Sequence, residues 1–127
     1  MDYTIRNLAT TADSAPKFGF GESGEAHFPR EELQARTIGL AYHMLKPGMR
    51  SPFGHRHEEA EEVYVVISGD GRMRLDDEIV DITALDAIRV APRVARAFEA
   101  GPKGLTVLAF GPRHESDGEM LHEFWKD

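Results

Sequence analysis

The run Val63-Tyr64-Val65-Val66-Ile67 constrains this chain more than any other feature. It is β-branched and aromatic throughout, which suits a pleated strand. Alternation along that strand gives Glu62, Tyr64, Val66 and Ser68 one face and Val63, Val65 and Ile67 the other. The first face mixes charge with apolar bulk, as the wall of a cavity does. The second is wholly apolar and needs a cover: a second layer, an N-terminal arm, or another subunit. A homodimer is therefore expected.

Further strand signals follow at close spacing. Thr37 to Leu45 is apolar on both faces and ends at Lys46-Pro47-Gly48. Ser68-Gly69-Asp70-Gly71 reads as a hairpin turn into Arg72 to Leu75, and Asp76-Asp77-Glu78 as another into Ile79 to Ile82. Ala87 to Val90 and Leu105 to Phe110 complete the set. The 12 glycines and 7 prolines fall mostly between these runs, so an all-β sandwich or barrel is expected. At 127 residues one domain is the default. It divides into an N-terminal arm (1–36), a barrel core (37–110) and a C-terminal tail (111–127). In the arm, Phe28 to Leu33 reads as one helical turn. Phe18 and Phe20 read as apolar anchors of a glycine-spaced loop that covers the barrel without a binding role. Phe124 and Trp125 are expected to anchor the tail on the barrel, with His114 and His122 on the surface.

Charge and composition exclude several functions. The net charge is −7, and the acids cluster at Glu58 to Glu62 and Asp76 to Asp81. Neither nucleic acid nor an anionic membrane is an expected partner. The absence of cysteine excludes disulfides, zinc-thiolate sites and thiol nucleophiles. No apolar run has the length of a membrane span, and the N-terminus lacks an apolar signal core. A soluble cytoplasmic protein is the expectation.

The chemistry sits just before the strong strand. His55 and His57 are two residues apart and share a strand face. The separation from His57 to Glu62 is odd, so Glu62 joins the histidines only if Glu58 to Glu61 forms a turn or bulge. Gly48, His55, His57, Glu62 and Gly69 together resemble the first motif of the cupin superfamily, with one extra residue after Gly48. The resemblance covers roughly Thr37 to Phe110 and implies a cupin jelly-roll barrel, the double-stranded β-helix. The second cupin motif falls on Leu85 to Ala100. There Leu85 stands at its first glycine, Ala91 at its proline, Arg93 at its second glycine, Arg96 at its histidine and Ala100 at its asparagine. In metal-binding relatives that histidine is the fourth protein ligand.

Two imidazoles and a carboxylate suffice for a first-row metal with open positions. An arginine cannot be a ligand, having no free lone pair. Three readings stand. In one, His55, His57 and Glu62 bind iron, manganese, nickel or zinc, while Arg96 holds the anionic oxygen of a substrate. The resemblance then implies a dioxygenase, isomerase or decarboxylase. In another, Arg96 forms a bidentate pair with Glu62, replaces the metal, and leaves a metal-free small-ligand or sensor pocket. In the last, the cluster is a relic in a barrel whose work is assembly. Tyr64 and Phe98 are expected to project into the pocket by alternation with Glu62 and Arg96. His43 is expected to be a solvated or hydrogen-bonded residue, not a ligand.

Overall fold

Two long strands carry the architecture of the computed structural model, which describes residues 1–112 and 118–125. They are β4 (Glu62–Leu75) and β7 (Arg96–Pro112), named within the chain order β1 (Gly24–His27), α1 (Arg30–Leu33), β2 (Ile38–Leu45), β3 (Gly54–His57), β5 (Glu78–Thr83), β6 (Ala87–Val90) and β8 (Gly118–Leu121). All pairings are antiparallel. β7 pairs with β2 over Leu105 to Pro112 and with β4 from Arg96 to Phe110, and its first residue opposes His55 of β3. On its far side β4 meets β6 and then β5. The result is one curled eight-stranded sheet, the all-β barrel that the strand pattern predicts.

The sequence-derived hairpin at Ser68 to Gly71 is not formed. β4 runs straight through these residues and pairs with β7 on both sides of them, with register shifts between Val66 and Ser68 and between Gly69 and Gly71. The glycines serve close strand approach instead of a turn. A Cβ at Gly71 would lie 2.1 Å from the carbonyl oxygen of Glu99, and one at Gly69 would lie 2.0 Å from that of Gly104. The hairpin at Asp76-Asp77 forms as expected, closing between Leu75 and Glu78.

Alternation decides the layers. Tyr64 and Val66 of β4 are buried with Phe98, Leu105 and Val107 of β7, and Met73, Ile82 and Val90 complete the core. Outside, Ile67 (42% exposed) and Phe110 (37%) flank half-buried Val63 and Val65, with Ile38 (60%) at the sheet's end. The Phe28–Leu33 turn appears as α1, with Pro29 as its N-cap. The arm is more than a cover: it supplies β1, which pairs with β2. It is fastened by Asp13, whose carboxylate accepts from the backbone N–H groups of Ala15 and Ala26, and by Thr11, which contacts Nδ1 of buried His27 at 3.0 Å. In the tail, β8 pairs with β3, a strand that polar sequence did not announce. The guanidinium groups of Arg74 and Arg50 lie over the rings of Phe124 and Trp125, at 4.6 and 4.7 Å, which anchors the tail as expected. His122 is exposed, and His114 lies outside the described residues.

Candidate metal centre

β3 presents His55 and His57 on one face, with ring centroids 5.3 Å apart. The link from Glu58 to Glu61 then breaks the strand alternation. Its acids are exposed while Ala60 is tucked in, and this turn delivers Glu62 to the same side as the histidines. Oε1 of Glu62 lies 3.1 Å from Nε2 of His57 and 3.5 Å from Nε2 of His55. The three donor atoms all fall within 4.8 Å of one another. Ligands at metal bond lengths of about 2.0–2.2 Å sit roughly 2.8–3.1 Å apart at octahedral angles and roughly 3.3–3.6 Å apart at tetrahedral ones. The donor set fits a divalent transition metal.

Tyr64 completes this cluster from behind. Its hydroxyl donates to Oε1 of Glu62 at 2.6 Å and lies 3.3 Å from Nε2 of His55. Burial alone would raise the Glu62 pKa. Hydrogen bonds from His55, His57 and Tyr64 overcome that and hold the carboxyl well below the usual carboxylate range. Burial and the Glu62 charge push the Tyr64 phenol well above 10, so it stays a donor. Tyr64 therefore orients the carboxylate, as partners of metal ligands commonly do. Its ring meets Phe98 edge-on at 5.1 Å, and both point inward as alternation requires.

Arg96 enters from the first position of β7, opposite His55, and is fully buried. The bidentate pair with Glu62 is not formed. Glu62 already has its partners in Tyr64, His55 and His57, and Nη2 of Arg96 donates instead to the Ala91 carbonyl at 3.4 Å. Among the described residues Nε and Nη1 of Arg96 have no hydrogen-bond partner. A buried, incompletely satisfied guanidinium is costly, so it is a ready receptor for an anion.

Sequence reasoning missed three residues that line the site. His43 of β2 turns inward beside His55, and burial, followed by the His55 charge, pushes its pKa down to about 4. It is a neutral wall residue, which the mixed sequence of β2 could not distinguish from Tyr42 or Met44. Phe18 and Phe20 of the arm border the cleft of about 680 Å³ that holds His55, His57 and Glu62. Their glycine-spaced pattern was the available signal.

The profile of the cupin domain family matches residues 41–110. An uncharacterised protein of Methanocaldococcus jannaschii is 31% identical over 70 residues, which cover 53% of this chain. The chain spans about half the length (56%) of this curated relative. A cupin protein from Bacteroides fragilis superposes with TM-score 0.72 at 23% identity, covering 91% of this chain and 88% of its own. The polyketide cyclase RemF from Streptomyces resistomycificus superposes with TM-score 0.76 at 15% identity, covering 99% and 89%. At these identities the two likenesses speak to the fold.

Proposed function

This chain belongs to the cupin domain family, and on that premise we propose that it is a metal-dependent enzyme of the dioxygenase, isomerase or decarboxylase type acting on a small anionic organic compound. The observation that carries the reading is the spacing of three donors, His55, His57 and Glu62, at an open cleft. These residues would hold iron, manganese, nickel or zinc. Such an ion supplies Lewis acidity or, for a redox-active metal, oxygen activation. The protein's own residues do the rest. Tyr64 fixes the carboxylate, and Arg96 binds and orients the anionic group of the substrate away from bulk water. The likeness to a polyketide cyclase is compatible with chemistry on an oxygenated organic molecule in such a barrel.

Elemental analysis of protein purified without chelator or histidine tag, beside a His57→Ala variant, tests this. Stoichiometric metal that disappears in the variant is expected. Absence of metal from the wild type, even after incubation with iron, nickel and zinc, would overturn the reading in favour of a metal-free small-ligand pocket.

The proposed macromolecular partner is a second copy of the chain. The outer faces of β2, β4 and β7 place Ile38, Val63, Val65, Ile67 and Phe110 on one apolar surface, which a two-fold contact would pair with itself. Sedimentation at micromolar concentration should show a dimer, and a lone 14 kDa species would refute it. No helix among the described residues is long and apolar enough to cross a membrane.

A further inference from the structure

Two cavities meet inside the barrel mouth. The outer one, about 680 Å³, holds the His55, His57 and Glu62 cluster. The inner one, about 90 Å³, holds Arg96 among Leu45, Phe98, Leu105 and Val107. Five residues border both: Phe20, His43, Phe53, His55 and Tyr64. Every one of them carries an aromatic ring. His43 belongs to this collar as a half-buried ring that lines both cavities. Phe20 and Phe53 meet edge-on at 5.5 Å, and Phe20 is stacked with Phe18 at 6.1 Å. Phe18 and Phe28 are half exposed at the entrance, where their rings meet edge-on at 6.5 Å.

This arrangement sorts ligand chemistry by depth. The inner chamber is too small for more than a head group and its wall is largely apolar; of its two charged lining residues Glu25 is paired with Nε2 of His27 at 2.8 Å, whereas Arg96 is buried and underpaired. A carboxylate satisfies two guanidinium donors at once, which a hydroxyl cannot. The collar admits a flat body and offers ring edges and faces to it. The outer cleft then places the distal end of such a molecule beside Glu62 and His57. We infer that the occupant is a planar aromatic carboxylate, its acid group on Arg96 and its ring within the collar of Phe20, Phe53, His43, His55 and Tyr64. The inference rests on the proposed role of Arg96 as the anion site, and it makes the N-terminal arm part of the specificity pocket through Phe20. Of the other features, the acidic groove around Asp81, Asp86 and Glu99 has no second sign of a ligand.

The test uses the whole 127-residue chain free of metal, so that it is independent of metal content. Benzoate and cyclohexanecarboxylate share charge and nearly share size but differ in flatness and aromaticity, and benzyl alcohol keeps the ring without the charge. Calorimetric titration should give binding of benzoate, roughly three- to ten-fold weaker binding of cyclohexanecarboxylate, and no measurable binding of benzyl alcohol. Arg96→Met should abolish benzoate binding. Phe20→Ala should erase the preference for benzoate over the saturated acid, and Phe53→Leu provides the same reading if the arm detaches in the first variant. Equal affinity for the two acids, or a preference unchanged in both phenylalanine variants, would overturn the aromatic assignment while leaving the anion site standing. Wild-type benzoate affinity in Arg96→Met would overturn the anion site itself. Failure of the metal reading would appear only in elemental analysis and would leave these affinities as they are.

Discussion

Between Gly48 and Gly69 this barrel presents the side chains of a cupin site, whereas between Leu85 and Ala100 it presents only the backbone. Leu85 and Arg93 stand where the second motif has glycines, yet both adopt left-handed conformations, with φ of 74° and 71°. The reason is their partners. The N–H of Leu85 donates to the Val66 carbonyl at 2.7 Å and that of Arg93 to the His57 carbonyl at 2.6 Å, so β4 and β3 hold the loops in shape. A backbone path is set by many neighbours and tolerates a changed residue at a cost of about 1 kcal/mol. Ligand chemistry belongs to single side chains. Replacing the histidine by Arg96 exchanges a metal ligand for a cation at the same register position, opposite His55.

Acid should most severely weaken the first region together with His43 of β2, which lines the same cleft. His43 is kept neutral with a pKa of about 4 against an ordinary 6.5, so the unfolded chain takes up the proton first as pH falls between those values, and stability drops. Glu62 adds to this below its ordinary 4.5: its depressed pKa stabilises the fold at neutral pH, and that contribution is lost as pH falls toward the folded-state value. Urea unfolding at pH 7, 5.5 and 4 should show successive losses, and a flat profile would contradict the neutral state of half-buried His43.

The second region should gain by losing its charge. Arg96→Met removes a buried, underpaired cation and forfeits one long hydrogen bond to Ala91, so the ligand-free protein should become more stable by roughly 2 kcal/mol. Destabilisation in the same urea assay would mean that Arg96 is structural. Tyr64→Phe, back in the first region, removes the hydroxyl that orients Glu62 and should cost about 1 to 2 kcal/mol. It should also weaken zinc binding about ten-fold in a competition titration. Unchanged zinc affinity would show that the histidines alone position the carboxylate. The smallest effect is expected from Leu85→Gly. It relieves a left-handed leucine that is 83% exposed and should stabilise by up to about 1 kcal/mol, measured as a raised thermal midpoint. A loss would mean that the unfolded chain's added freedom outweighs the strain.

Much of this was legible in the residues themselves. The period-2 pattern of Glu62 to Ser68 assigned both faces of β4, and the resemblance of Gly48 to Gly69 to the first cupin motif singled out His55, His57 and, among the adjacent acids, Glu62. Those features are local: strand alternation aligns His55 with His57 and sets the faces of β4, and the Glu58 to Glu61 link brings Glu62 to the histidines. The tertiary structure decided the rest. Glycines at 69 and 71 have the composition of a turn, and only the approach of β7 reveals them as points of close packing. The pairing of Arg96 with Glu62, one of the three readings the residues allow, is pre-empted by the hydroxyl of Tyr64 and the two imidazoles, which already surround the carboxylate. Phe20 lies far in sequence from Phe53 and Tyr64, and no periodicity connects them. Their meeting depends on Asp13 and Thr11 fastening the arm to β1, a long-range arrangement that exists only once the barrel has closed.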